Sequence, residues 1–268
     1  MEKIGLLAGV GHLPVECARA AKAMGYEVYA VGLLAGVDEE LPAAVTAYED
    51  INVAKLGRII DYLKKHGVTK VTAIGKVSKE LLMNGRYELP DWRMVKLLLS
   101  LPDHKDDTLM LTFASALRKE GLELVDQTLL IRPLMPAAGI LTRRAPSENE
   151  RRDMAFGFQM AKEIGRLDVG QTAVVKGMAV MALEAIEGTD ACILRGGKLA
   201  RGGAVVVKVA KPAQDSRFDV PAVGVTTVER MIEAGATALA IEAEHTLLVD
   251  REKTIALAEA HDITIVAM

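Results

Sequence analysis

The chain has 268 residues, half of them hydrophobic but only 4% aromatic, with a formal charge of −3 and a pI near 6.0. That length supports two modest domains or one large one with a sizeable core, and mild acidity without a Lys/Arg run excludes the electrostatic footprint of a nucleic-acid binder. Cys17 and Cys192 form no CxxC pair, so neither a disulfide framework nor a zinc site is expected. The start shows no secretory leader pattern and no apolar stretch reaches the ~20 residues of a bilayer span, which fits a cytoplasmic protein.

Lys3–Ala8 is a short apolar run ending in Gly9-Val10-Gly11-His12-Leu13-Pro14, and 15–24 reads as an alanine-rich helix stopped by Gly25. Residues 27–31 predict a second strand, 54–65 a helix ending before Gly67, and 68–74 a third strand closed by Gly75-Lys76. Helices over 91–101 and Asp106–Lys119 precede a strand at 122–125. Repeated βα units of this kind predict a parallel sheet with helices on both faces, a Rossmann-like α/β domain. Two prolines and a glycine within Pro133-Leu134-Met135-Pro136-Ala137-Ala138-Gly139 break both periodicities. The boundary falls there, giving domains 1–133 and 134–268.

In the second domain Ser147, three residues before Glu150, predicts a capping box opening a charged helix over 147–164. Residues 171–175 and 178–186 read as a hairpin turned at Lys176-Gly177. Strands at 203–209, Ala238–Ile241, 246–249 and 263–267 follow, with helices at 227–234 and 252–260. Hairpin and βα connections together predict a mixed sheet, hence a C-terminal mixed α/β domain.

Gly9-Val10-Gly11 after the first strand invites a dinucleotide reading, but Pro14 stands where the third glycine belongs. No acid ends the second strand either, where Val31-Gly32-Leu33-Leu34 is found, so NAD is disfavoured. What remains is a tight turn, either structural or offering its amides to a phosphate or uridine edge. Lys76 lies just past a strand's carboxyl end, where open α/β sheets bind ligands; a solvated lysine is the alternative. The five histidines show no HExxH spacing and no serine lies in a GxSxG elbow, which removes zinc-protease and serine-hydrolase readings.

Two clusters carry the chemistry. The first is Glu184-Ala185-Ile186-Glu187-Gly188-Thr189-Asp190, in which Glu184 and Ile186 share a strand face, Glu187 begins a turn, and Thr189 or Asp190 caps the next helix. The second runs from Lys208 through Lys211-Pro212-Ala213-Gln214-Asp215-Ser216-Arg217-Phe218-Asp219-Val220-Pro221. Gly196-Gly197 and Gly202-Gly203 lie between them. Carboxylates suit a hard cation, Lys and Arg suit phosphate oxygens, and glycines let backbone approach both. Prolines at both ends of the 212–221 loop favour a rigid ligand-holding segment over a merely solvated one.

These motifs, with Gly5-Leu6-Leu7-Ala8 before the glycine turn, Asp168-Val169-Gly170-Gln171, Ile241-Glu242-Ala243 and Thr246-Leu247-Leu248-Val249-Asp250-Arg251, resemble the LpxI-type UDP-2,3-diacylglucosamine pyrophosphatases over nearly the whole chain. One departure is Glu244, where the family pattern calls for glycine, so local backbone geometry is the expected point of difference. The resemblance implies a two-domain hydrolase of lipid A biosynthesis with its ligand cleft between the domains. It implies dependence on Mg2+, with Mn2+ as the alternative metal, and cleavage of an acylated UDP-sugar to UMP and 2,3-diacylglucosamine 1-phosphate, lipid X.

On that likeness Asp215, Asp219 and Glu187 are candidate metal ligands or the water-positioning base, with Asp190 a weaker ligand. The essential aspartate falls between Gln214 and Asp219. Arg217, Lys208 and Lys211 would offset phosphate charge, and Gly9, Gly11, His12, Lys76, Gln214 and Thr189 would contact substrate. Peripheral association with the inner face of the inner membrane, through substrate or product, and homo-oligomers are compatible with this reading. The alternatives are a metal-dependent transferase using the same phosphate site and a nucleotide-sugar-binding regulatory module.

Overall fold

The computed structural model describes residues 1–77, 88–102, 106–212, 215, 217 and 220–268; Gln214 and Asp219, both expected at the site, lie outside the described residues. The chain divides into two units, Met1–Ile131 with Arg217, and a second that runs from Arg132 and includes Asp215.

The first unit is built on five parallel strands: β1 (Lys3–Ala8), β2 (Glu27–Gly32), β3 (Ala47–Asp50), β4 (Lys70–Ile74) and β5 (Glu123–Leu124), in the order β3-β2-β1-β4-β5. Strands buried on both faces must be apolar throughout, and β1 is: Ile4, Leu6, Leu7 and Ala8 are all at most 1% exposed. Helix α1 (Leu13–Ala23) starts with Pro14 in its first turn, where a missing N–H costs nothing. Short α2 (Leu41–Ala44) precedes α3 (Leu56–Lys65), whose Leu56, Ile59, Ile60 and Leu63 form one buried stripe. Helices α4 (Trp92–Leu99), α5 (Asp106–Lys119) and four-residue α6 (Thr128–Ile131) complete the described elements. Strand β3 and helix α2 were not expected from the sequence.

The second unit carries a six-stranded sheet in the order β6-β13-β11-β9-β7-β8. Its strands are β6 (Gly139–Ile140), β7 (Thr172–Lys176), β8 (Ala179–Leu183), β9 (Val205–Lys208), β11 (Ala238–Ile241) and β13 (Thr264–Ala267). β9, β11 and β13 run parallel, while β6 and β7 pair antiparallel to their neighbours and β8 to β7. The sheet is therefore mixed, as the hairpin required. A separate parallel pair joins β10 (Ala222–Val223) to β12 (Leu247–Leu248).

Alternation along β9 sorts its side chains to two cores. Val205 and Val207 join Met154 and Ala161 of α7 (Glu148–Arg166). Val206 joins Ile193 of α8 (Gly188–Ala200), Val228 and Met231 of α9 (Val225–Glu233) and Ala258 of α10 (Arg251–Ala260). The capping box at α7 is present: the Glu150 N–H donates to the Ser147 hydroxyl, and the Ser147 N–H donates to the Glu150 carboxylate.

The glycine pair Gly196-Gly197 corrects one expectation. Both lie inside α8 rather than in a ligand-facing turn. A Cβ on Gly196 would stand 2.5 Å from Val174 Cβ, and one on Gly197 2.4 Å from Ala234 Cβ. They let the helix sit directly on β7 and on the end of α9; no ligand is involved.

Candidate functional site

In the first unit the loops after β1, β2 and β4 converge at the carboxyl edge of the sheet. Val10 exchanges backbone hydrogen bonds with Lys76, at 3.0 and 2.9 Å, and Gly11 bridges to Val37. Gly9 is a packing residue: a Cβ there would lie 2.7 Å from the Gly75 carbonyl carbon. Gly11 differs, since its φ of +108° demands glycine while the space beside it is open. His12, half-buried, sets its Nδ1 2.8 Å from an Asp38 carboxylate oxygen. The Glu40 N–H and His12 together hold Asp38 below the usual carboxylate range. Asp38 was not singled out from sequence, because nothing in its surroundings marks it as the residue that returns to the glycine turn. Lys76 is exposed.

The second unit gathers its candidates at the carboxyl end of β9. Strand β8 stops at Leu183, so Glu184 and Ile186 do not share a face as expected: Glu184 is 8% exposed and Ile186 fully so. Glu184 accepts from the Gln171 N–H at 3.2 Å and from the Thr189 hydroxyl at 3.0 Å. Thr189 in turn accepts from the Lys208 ammonium at 3.1 Å, and Lys208 also donates to the Ala222 carbonyl at 3.0 Å. Only 8% of Lys208 is exposed. Lys211 donates to Asp168 at 2.7 Å, and Lys162 grips both oxygens of Glu242 while Glu242 accepts the Ala210 N–H.

The Asp168-Val169-Gly170-Gln171 segment ties this region together. Asp168 meets Lys211, the Gln171 carbonyl accepts the Val209 N–H, and a Cβ on Gly170 would strike the Glu184 carbonyl oxygen at 2.3 Å. Its glycine is a clearance for the Glu184 backbone.

Glu187 takes a different part from the one expected of a metal ligand. Arg195, two turns along α8, donates to its carboxylate, and the Ala185 N–H adds a bond at 3.2 Å. Arg195 first, then local backbone N–H groups, hold Glu187 below the ordinary carboxylate value. A cation would have to displace that guanidinium. Asp190 sits exposed in the first turn of α8. Asp215 is half-buried in the second unit, while Arg217, two residues on, belongs to the first, where its carbonyl accepts from Gln127 Nε2 at 3.3 Å. Among the described residues no three His, Cys, Asp or Glu side chains are grouped to hold a metal ion. Of the four ligand candidates, Asp215 fits best among those described.

A pocket of about 540 Å³ lies at the opposite, amino end of the parallel strands, lined by Arg144, Glu150, Asp153, Lys176 and Thr237 among others. Its polar groups satisfy one another. Arg144 forks onto Glu150 at 2.9 and 3.0 Å and reaches the Thr237 carbonyl, Asp153 accepts from Gly177 and Met178, and Lys176 donates to Ala200 and Gly202. It is a structural clamp.

The chain is thus an α/β protein of two units, one a parallel sheet with a glycine turn at its carboxyl edge, the other a mixed sheet carrying a buried Lys-Thr-Glu chain. The family model of the LpxI N-terminal domain matches residues 3–134 and that of the LpxI C-terminal domain residues 137–266; the chain belongs to the LpxI family. It is 34% identical, over 97% of its length and 95% of the other, to a protein of Caulobacter vibrioides named UDP-2,3-diacylglucosamine pyrophosphatase LpxI. Among solved structures, a GalE-like L-threonine dehydrogenase from Cupriavidus necator matches 45% of this chain at 19% identity and TM-score 0.29. A UDP-glucose-4-epimerase from Stenotrophomonas maltophila matches 46% at 11% identity and TM-score 0.31. The chain spans about a third of either structure, 34% and 35%, and likenesses this low carry no argument about function.

Proposed function

We propose that this protein hydrolyses the pyrophosphate bond of UDP-2,3-diacylglucosamine, releasing UMP and 2,3-diacylglucosamine 1-phosphate for lipid A biosynthesis. The observation that carries the reading is the end-to-end match to a pyrophosphatase of that name, spanning both family domains. Atoms balance simply: water oxygen bonds to one phosphorus, the bridging P–O bond breaks, and the departing phosphate takes the negative charge. Lys208 and Lys211, held at the carboxyl end of β9, are the cations that would meet that charge as point donors. On the first unit, Gly11 and His12 would face the nucleotide-sugar, whereas Gly9 would act only by letting Gly75 pass.

Asp215 and Asp219 would hold a divalent cation, with Mg2+ preferred over Mn2+. Bound there, the cation would neutralise phosphate oxygens and orient water. Glu187 is left out of this set because Arg195 already engages it. Among the described residues no helix is long and apolar enough to cross a membrane, so an acylated substrate would be met at a bilayer surface or delivered from one.

The test is UMP release from UDP-2,3-diacylglucosamine by the full chain, with Mg2+ and with excess chelator. Release without an added alcohol acceptor, lost on chelation, is expected. Asp215→Ala or Asp219→Ala should lower kcat/KM by about 10²-fold or more with the fold intact. Full activity in both variants would overturn the assignment, and tight UDP-sugar binding without turnover would favour a regulatory module.

A further inference from the structure

Lys208 presents a physical problem. An ammonium that is 8% exposed needs a compensating charge nearby, or burial shifts it toward neutrality. Its printed contacts, the Thr189 hydroxyl and the Ala222 carbonyl, are neutral. The nearest formal negative charge along the bonded chain is Glu184, reached through Thr189.

The directions of these bonds are fixed by chemistry. Lysine only donates and a carboxylate only accepts. Thr189 must therefore accept from Lys208 and donate to Glu184 Oε1, which leaves the Thr172 hydroxyl, 3.4 Å away and fully buried, as the donor to Thr189. Glu184 Oε2 accepts the Gln171 N–H, and Gly170 gives the Glu184 backbone its passage. Glu184 is consequently locked from two sides and from behind.

Building on the phosphate role proposed above for Lys208, we propose that Glu184 is a positioning residue of this site. Acting through Thr189, it holds the Lys208 ammonium charged and aimed, and so sets the strength of the cation that meets the substrate's phosphate. It touches neither substrate nor the reacting atoms. Glu187, three residues on and spent on Arg195, cannot replace it.

Glu184→Gln preserves shape but removes the charge, and sets an amide group against the Gln171 N–H or the Thr189 hydroxyl. It should lower kcat/KM by about 10- to 100-fold, the range of outer-shell partners, with the thermal midpoint still that of a folded protein. Thr189→Val should cost a similar factor and Thr189→Ser should restore most of it. The double variant Glu184→Gln with Thr189→Val should be no worse than the poorer single, since both cut one chain.

Additive losses, a Thr189→Ser variant as poor as Thr189→Val, or a Glu184→Gln variant that loses stability at unchanged kcat/KM would overturn the proposal. Lysine side-chain NMR, with the Lys208 signal identified by its absence in Lys208→Arg, gives a readout without substrate. Glu184→Gln should shift that signal. If the wild type releases no UMP, the functional reading fails on its own, and an unmoved Lys208 resonance then removes the positioning role as well.

Discussion

Glu244 shows how one side chain can sit against its backbone. Its φ is +59°, in the left-handed region where an L-residue is strained and glycine is not, which is the physical content of the glycine the family pattern calls for. Glu244→Gly should therefore raise stability, by up to about 1 kcal/mol after the entropy that glycine adds to the unfolded chain, read as a higher urea midpoint. Glu150 illustrates the opposite case. Burial works against its ionisation, but the Arg144 fork and the Ser147 and Thr237 groups outweigh it and hold the carboxyl at about 2 against an ordinary 4.5. A carboxyl more acidic folded than unfolded contributes stability in full above the unfolded value. That contribution, up to about 3 kcal/mol, drains as pH falls from about 4.5 to about 2. Glu150→Gln should be less stable than wild type at pH 7 and lose that difference by pH 2, measured by urea unfolding across that range.

At the scale of elements, helix α8 explains both what sequence reading reached and what it missed. A helix opening at Gly188 was legible from Thr189 and Asp190, small polar and acidic residues suited to a first turn. Its interior was not, because Gly196-Gly197 carries a loop's composition and only the facing Val174 and Ala234 reveal the need for bare backbone. Gly197→Ala should push α8 from α9 and cost about 1–3 kcal/mol, seen as a lowered thermal midpoint without a change in helix content. The same limit hid the Glu187–Arg195 pair, whose partners meet only once the chain turns from β8 into α8. The hairpin of β7 and β8, the capping box at α7 and the β1 glycine turn were legible because each is local. Strand β3, Ala47–Asp50, was not, since Ala-Tyr-Glu-Asp on a sheet edge has no apolar alternation to announce it.

For the molecule as a whole, the class was readable because two kinds of repetition coincide with two kinds of sheet: βα units with the parallel sheet, a hairpin with the mixed one. The site was readable only as an inventory. Sequence placed Lys208, Thr189 and Glu184 within one region, but the order in which they hand a hydrogen bond along depends on β9 lying between β7 and β11, a non-local fact. The contact between Gly9 and Gly75, with Val10 laced to Lys76, has its own result. In dinucleotide enzymes the gap where strand order reverses, here between β1 and β4, is left open for a pyrophosphate to settle in. Here main chain itself plugs that gap. An engineer who restored the missing third glycine at Pro14 and an acid after β2 would still find no berth for a nicotinamide cofactor until that stitching was undone.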